Sequence, residues 1–142
     1  MHRFSRNAAL IIIAAAALAG CARTVVVVGP PPSAHVTTGP NGAVSVVLTP
    51  LGAQRIGIQT GAATPAGPGR TVVPYSALLY QIDGSSVVYT ATAPLTYTLV
   101  TISVASIQGN QVYLTGLAPG TTVVTVGGEE LLGVQDGVGI QT

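Results

Sequence analysis

The dipeptide Asp83-Gly84 constrains the fold more than any other feature of the sequence, because alternating apolar residues precede and follow it. Asp and Gly both tolerate positive φ, and together they are a strong signal for a two-residue β-hairpin loop. The expected register pairs Ile82 with Ser85, Tyr80 with Val87, and Leu78 with Tyr89. The middle of the chain is therefore predicted to be antiparallel β-structure.

Further turn signals divide the remainder of this region into strands. Gly109-Asn110 predicts a second two-residue turn. The expected register places Ile107 opposite Val112 and Ala105 opposite Leu114. Ala118-Pro119-Gly120 predicts a third turn, followed by a strand over 121–126, and residues 95–107 alternate over a length that predicts one long or bent strand.

Short helical signals flank this β-region. Thr49-Pro50 predicts a helix start, with Thr49 as N-cap and Pro50 at the first helical position, and this helix is expected to end just before Gly57. Glu129 to Leu132 predicts one helical turn, after which the glycine-rich tail is expected to be loose. The strands expected beside the first helix are 44–48 and 58–62. These patterns predict an all-β fold, a small antiparallel β-sandwich or β-roll with one or two short helical turns.

The first twenty residues have the three-part pattern of an export signal. A short positive start is followed by the apolar run 8–20, which is shorter than the roughly 20 residues that a membrane-spanning helix needs. The run ends in Leu18-Ala19-Gly20-Cys21, which resembles the lipobox of bacterial lipoproteins. The resemblance implies a signal peptide over 1–20 and a lipid on Cys21, in preference to an ordinary cleavage site or an uncleaved anchor.

Proline and glycine in the next segment indicate a tether. Gly29-Pro30-Pro31-Pro32 and Gly39-Pro40-Asn41-Gly42 favour extended, solvated backbone, so residues 21–42 are predicted to link the lipid to a β-domain over 43–142. The valines 25–28 interrupt the tether. They could add an edge strand or lie near the lipid headgroups, and the sequence leaves both open.

Charge and cysteine content exclude several classes of protein. The predicted mature chain has three arginines, four carboxylate residues and no lysine, which gives a net charge of −1 with His35 neutral. Nucleic-acid binding needs clustered cations, and attraction to anionic lipids needs a polybasic patch; neither is present. The single cysteine is assigned to lipid, so no intrachain disulfide is expected.

No group of residues predicts catalysis, a metal site or a cofactor. His35 is the one histidine of the mature chain and is expected to be a solvated linker residue. Glu129 and Glu130 are adjacent, which suits acids at a helix start better than a general acid/base pair. The mature chain's tyrosines could line a ligand-binding face, but half-buried strand positions account for them better: Tyr75, Tyr80, Tyr89, Tyr97 and Tyr113.

One pattern runs from Val73-Pro74-Tyr75 through Asp83-Gly84 to Val87-Val88-Tyr89, and continues in Gly116-Leu117-Ala118-Pro119-Gly120, Val123-Val124 and Gly127. It resembles the C-terminal part of periplasmic adaptor subunits of RND-type efflux pumps, the membrane fusion proteins of the HlyD type. Residues 48–60 resemble the segment that precedes the inserted domains in the heavy-metal branch. Only residues 64–70 separate these stretches, so the resemblance implies a membrane-proximal β-domain that lacks the lipoyl and hairpin domains.

The resemblance implies a non-catalytic, membrane-anchored accessory module that contacts an RND pump or a full-length adaptor. The alternative is a free-standing structural or ligand-binding lipoprotein of the cell envelope. In either case the expected location is the periplasmic face of a membrane. Ala22, in place of Asp after the lipidated cysteine, is compatible with the outer membrane where the cell has one.

Overall fold

The computed structural model describes residues 32–137; the predicted signal peptide, Cys21 and the valines 25–28 lie outside this range. The strands are β1 (Ala34–Thr38), β2 (Val44–Leu48), β3 (Gln59–Ala62), β4 (Thr64–Pro65), β5 (Thr71–Pro74), β6 (Leu79–Tyr80), β7 (Ser86–Ala93), β8 (Thr96–Thr101), β9 (Ser103–Gln108), β10 (Gln111–Thr115) and β11 (Thr122–Val126). The helices are α1 (Pro50–Ile56) and α2 (Gly128–Gln135), and a 3-10 turn covers Tyr75–Ala77.

The strands form two antiparallel sheets, which confirms the predicted all-β class. The larger sheet has seven strands in the order β1-β2-β8-β7-β11-β3, with β6 also paired to β7. The smaller sheet has four strands in the order β4-β5-β10-β9. The two sheets pack as a sandwich, and both helices cover the outer face of the larger sheet.

Two apolar clusters hold these three layers together. Between the helices and the larger sheet lie Ala34, Val46, Leu48, Leu79, Val87, Tyr89, Tyr97, Val124 and Leu131. Between the two sheets lie Ala63, Val73, Ala77, Leu78, Val88, Ile102, Val112, Leu114 and Val123. Successive side chains of a strand point to opposite faces, so the adjacent pairs Val87-Val88 and Val123-Val124 each supply one residue to each cluster. Strands β7 and β11 are consequently buried on both faces.

The predicted long strand over 95–107 is bent and passes from one sheet to the other. β8 belongs to the larger sheet and β9 to the smaller, and the bend lies at Ile102. The Ile102 side chain is buried between the sheets, and its amide donates to the Ser86 carbonyl at 2.9 Å. This bend lets one segment of chain close the sandwich at this side.

The last part of the predicted tether, 21–42, belongs to the β-domain. Residues 34–38 form β1, which pairs along its whole length with β2, and His35 is an exposed strand residue opposite Val47 instead of a linker residue. Gly39 to Gly42 forms the turn of this hairpin, in which the Gly42 amide donates to the Gly39 carbonyl at 3.0 Å. The Pro/Gly composition was misleading because tight turns need the same residues as solvated linkers.

Helix α1 begins and ends where the sequence predicts. The Thr49 hydroxyl accepts a hydrogen bond from the Gly52 amide at 3.0 Å, Pro50 occupies the first helical position, and Gly57 forms the C-cap with φ of 71°. The strand expected over 58–62 begins one residue later. These signals are local, so tertiary packing leaves them unchanged.

Helix α2 is longer than the predicted turn over 129–132. It runs from Gly128 to Gln135, so the segment after Gly133 is helical in its first part instead of loose. The side chain of Leu131 is fully buried against the larger sheet, and Leu132 and Val134 pack against the same cluster. Tertiary packing therefore extends a helix that its glycines alone would shorten.

Candidate functional site

A groove lies between α1 and α2 on the helical face. It has a volume of about 490 Å³ and is lined by Ile56 of α1 and by residues of α2. The α2 residues are Glu129, Glu130, Gly133 and Val134. The two glutamates are exposed, whereas Ile56 and Val134 are half-buried and join the apolar cluster beneath. The groove therefore combines an apolar floor with a carboxylate rim.

Packing onto the larger sheet fixes the position of α2 at this groove. Glu129 and Glu130 lie in the first turn of the helix, where the helix dipole favours acids, as predicted. At the other end, the Tyr89 hydroxyl donates to Gln135 Oε1 at 2.8 Å. Burial, with a smaller contribution from Asp136, raises the pKa of Tyr89 well above its ordinary value. The phenol is therefore neutral at physiological pH and ties the last turn of α2 to β7.

The Asp83-Gly84 hairpin forms, but with a three-residue loop instead of the predicted two. The Gln81 amide donates to the Ser85 carbonyl at 3.0 Å, and the Gly84 amide donates to the Gln81 carbonyl at 2.9 Å. Gly84 has the predicted positive φ, of 85°. This is the geometry of a type I turn closed by a left-handed glycine, which is common in three-residue hairpins.

The longer loop shifts the predicted register of this hairpin by one residue. Leu79 pairs with Val87 and Tyr80 pairs with Ser86, so the predicted pairs Tyr80–Val87 and Leu78–Tyr89 are wrong. The observed register buries Leu79 in the apolar cluster and leaves Tyr80 exposed. A one-residue shift exchanges the two faces of a strand, so the burial of leucine decides the register here.

Asp83 stabilises the loop at its exposed tip. Its Oδ1 accepts a hydrogen bond from the Ser85 amide at 2.8 Å. The Ser85 hydroxyl and amide beside the carboxylate hold the pKa of Asp83 below its ordinary value. The neighbouring Ile82 side chain is 98% exposed. Asp83 and Gly84 are therefore turn-forming residues, as predicted.

The Gly109-Asn110 turn has the predicted two-residue loop. Ile107 pairs with Val112, as expected, and Gln108 pairs with Gln111. Beyond Tyr113 a β-bulge shifts the register and places Leu114 opposite Val104, so the predicted Ala105–Leu114 pair is wrong. The bulge sets Val104 and Leu114 against the same cluster and leaves Ala105 exposed.

Asn110 and Gln111 also line a shallow groove of about 400 Å³, together with residues of β3, β4 and β5. The Asn110 carbonyl accepts a hydrogen bond from the Tyr75 amide at 2.9 Å, which ties this hairpin to the 3-10 turn. The residues predicted for the two hairpins thus lie at turns of different sheets: Asp83 and Gly84 in the larger, Gly109 and Asn110 in the smaller.

The other residues that the sequence singled out are dispersed. Tyr89 and Tyr97 are buried, whereas Tyr75 and Tyr80 are exposed. Ile56, Gly133 and Val134 were not identified from the sequence as site residues, although Glu129 and Glu130 were weighed and assigned to the helix start. An apolar residue four positions after Glu130, Val134, was the available signal, but the sequence predicted only one helical turn here.

The comparisons with known proteins give no relative for this arrangement. No protein-family model, curated protein or solved structure matches the chain. The fold and the groove define a small all-β domain with a helical cover on one face. Within residues 32–137, no helix is both long enough and apolar enough to cross a bilayer.

Proposed function

We propose that the protein is a lipid-anchored component of the bacterial cell envelope, whose β-domain is a non-catalytic accessory module of an RND-type efflux system. The observation that carries the anchoring is Leu18-Ala19-Gly20-Cys21 directly after an apolar run. Acyl chains contribute about 0.8 kcal/mol per buried methylene, so several chains on Cys21 give stable attachment. The adaptor-like pattern from Val73 to Gly127 supports the efflux partner.

The short segment between Cys21 and the β-domain would keep the domain close to the membrane. The chain enters the domain at Ser33, whose carbonyl accepts a hydrogen bond from the Thr49 amide at 2.9 Å. An extended segment from Cys21 to Ser33, at about 3.1 Å per residue, spans roughly 40 Å. Partners in the same membrane then meet the domain at a raised effective concentration, so contacts of modest affinity are sufficient.

Metabolic labelling with a palmitate analogue tests the anchor. The wild-type protein should incorporate the label and sediment with membranes, while Cys21→Ser should lose the label and either become soluble or remain unprocessed. Ala22→Ser, which keeps the cysteine, is the matched control and should behave like wild type. A Cys21→Ser protein that is processed, labelled and membrane-bound would contradict the lipoprotein assignment.

Crosslinking in native membranes tests the efflux assignment. The intact protein should capture an RND pump or a full-length adaptor, and a fusion of residues 21–33 to an unrelated domain should not. The alternative, a free-standing ligand-binding lipoprotein, is favoured by the groove between α1 and α2. The result that would support this alternative is that the intact protein captures neither partner and that loss of the gene leaves drug and metal tolerance unchanged.

A further inference from the structure

The groove between α1 and α2 has the dimensions of a binding site. Its volume of about 490 Å³ lies within the range of roughly 300–1,000 Å³ that is usual for ligand pockets. Its floor includes Ile56 and Val134, which are half-buried and continuous with the apolar cluster under the helices. Such a floor can accept an aliphatic side chain.

The charged residues that line this groove are both acidic. Glu129 and Glu130 are exposed at its rim, and the last turn of α2 contains no basic residue. Arg55 is the basic residue of α1, and it is not among the residues that line the groove. A ligand that occupies the apolar floor therefore meets two carboxylates, which favour a cation beside its apolar part.

We propose that this groove binds a short amphipathic segment of a protein partner, in which an aliphatic side chain is flanked by lysine or arginine. The aliphatic side chain occupies the floor beside Ile56 and Val134, and the cations face Glu129 and Glu130. The carboxylates repel anionic lipid headgroups, which favours a protein segment over the membrane surface as the occupant. The inference deepens the proposed function, on which it rests for a partner held at the same membrane.

Binding of a designed peptide tests this inference. The probe is a fluorescent twelve-residue peptide with leucine along one helical face and lysine along the other, added to the purified full chain in zwitterionic detergent. Its anisotropy should rise on binding. Peptides with every lysine replaced by glutamate, or every leucine by serine, should bind at least tenfold more weakly, because both kinds of contact contribute.

Removal of the rim charges locates the site. The double variant Glu129→Gln/Glu130→Gln should weaken binding of the probe about fivefold and reduce its salt dependence, which is the size expected for two exposed ion pairs. Asp83→Asn is the control, since it removes one carboxylate charge outside the groove lining and keeps an oxygen for the Ser85 amide. It should leave probe binding unchanged.

Three results would overturn the inference: no binding of the probe, equal binding to the double variant, or binding that appears only after residues 138–142 are deleted. The last result would assign the groove to the chain's own C-terminal segment. The outcome is separable from that of the labelling experiment. If the protein is lipidated but does not bind the probe, only the groove inference is contradicted. If the protein is not lipidated but binds the probe through Glu129 and Glu130, only the lipid anchor is contradicted.

Discussion

Gly52 of α1 lies so close to the carbonyl group of Ser33 that a Cβ atom at position 52 would overlap the carbonyl oxygen. The same oxygen accepts hydrogen bonds from the Thr49 amide at 2.9 Å and the Thr49 hydroxyl at 3.2 Å. Helix α1 is thus fastened to the point where the chain enters the domain, and only glycine permits this approach.

Gly52→Ala should therefore destabilise the domain, although alanine is the better helix former. The overlap involves backbone atoms, so relief requires movement of the helix or of the start of β1, at a cost of about 2 kcal/mol. Urea unfolding followed by circular dichroism measures the change. Gly39→Ala is the matched control, because a Cβ there would be 3.6 Å from its nearest neighbour and should cost little. Equal midpoints for the two variants would refute this account of α1.

Substitutions at Gly84 should destabilise in order of their resistance to positive φ. A Cβ at this position meets no atom within 4 Å, so backbone strain is the main cost. Asn tolerates the left-handed region, so Gly84→Asn should lower the free energy of unfolding by well under 1 kcal/mol. The branched side chain of Gly84→Val should lower it by about 2 kcal/mol. Thermal unfolding of Gly84→Asn and Gly84→Val gives the comparison. Ile82→Thr, at the exposed tip, is the control and should leave the stability unchanged. Equal stability of Gly84→Val and Gly84→Asn would contradict the positive φ of Gly84.

Tyr89→Phe should lower the free energy of unfolding by about 1 kcal/mol, because it leaves Gln135 without the hydroxyl that donates to it. The tyrosine hydroxyls that form side-chain hydrogen bonds within residues 32–137 are those of Tyr89 and Tyr113. Tyr97→Phe, in the same apolar cluster, is therefore the matched control and should change stability less. An equal loss of stability in Tyr97→Phe would contradict this role of the Tyr89 hydroxyl.

The same tyrosine should make stability fall at alkaline pH. Burial raises the pKa of Tyr89 in the folded state above its ordinary value of 10.0, so the unfolded chain releases this proton first. Stability from Tyr89 is therefore complete below pH 10 and is lost as the pH rises above that value. Urea unfolding of wild type and Tyr89→Phe between pH 8 and about pH 11 should show a steeper decline for wild type. Parallel curves would contradict the burial of an un-ionised phenol.

The sequence predicted those features that a few neighbouring residues decide. Thr49, Pro50 and Gly57 bound α1, and the positive φ of Gly84 follows from its place in a turn. The register after that turn was wrong because it depends on whether Leu79 or Tyr80 is buried, which the opposite layer decides. Residues 34–38 were assigned to the tether from the proline and glycine around them, because their pairing with β2 is not visible in the sequence.

The candidate groove could not be predicted from the sequence for a related reason. Ile56 and Glu129 are far apart in the chain and meet only because α1 and α2 pack on the same face of one sheet. Glu129 and Glu130 were correctly placed in the first turn of a helix, but a single turn offers no surface for a groove. The length of α2 is set by Leu131 and Tyr89 beneath it, and these contacts are not local.

Strands β7 and β11 belong to both apolar clusters, and this shared membership governs how the domain comes apart. If the cluster between the sheets came apart, Val88 and Val123 would lose the packing that holds β7 and β11 in place. Val87 and Val124 lie on the same two strands, so they would lose their positions under the helices. Neither half of the interior is therefore expected to unfold while the other persists. We expect the domain to lose its helices and both sheets in one cooperative thermal transition.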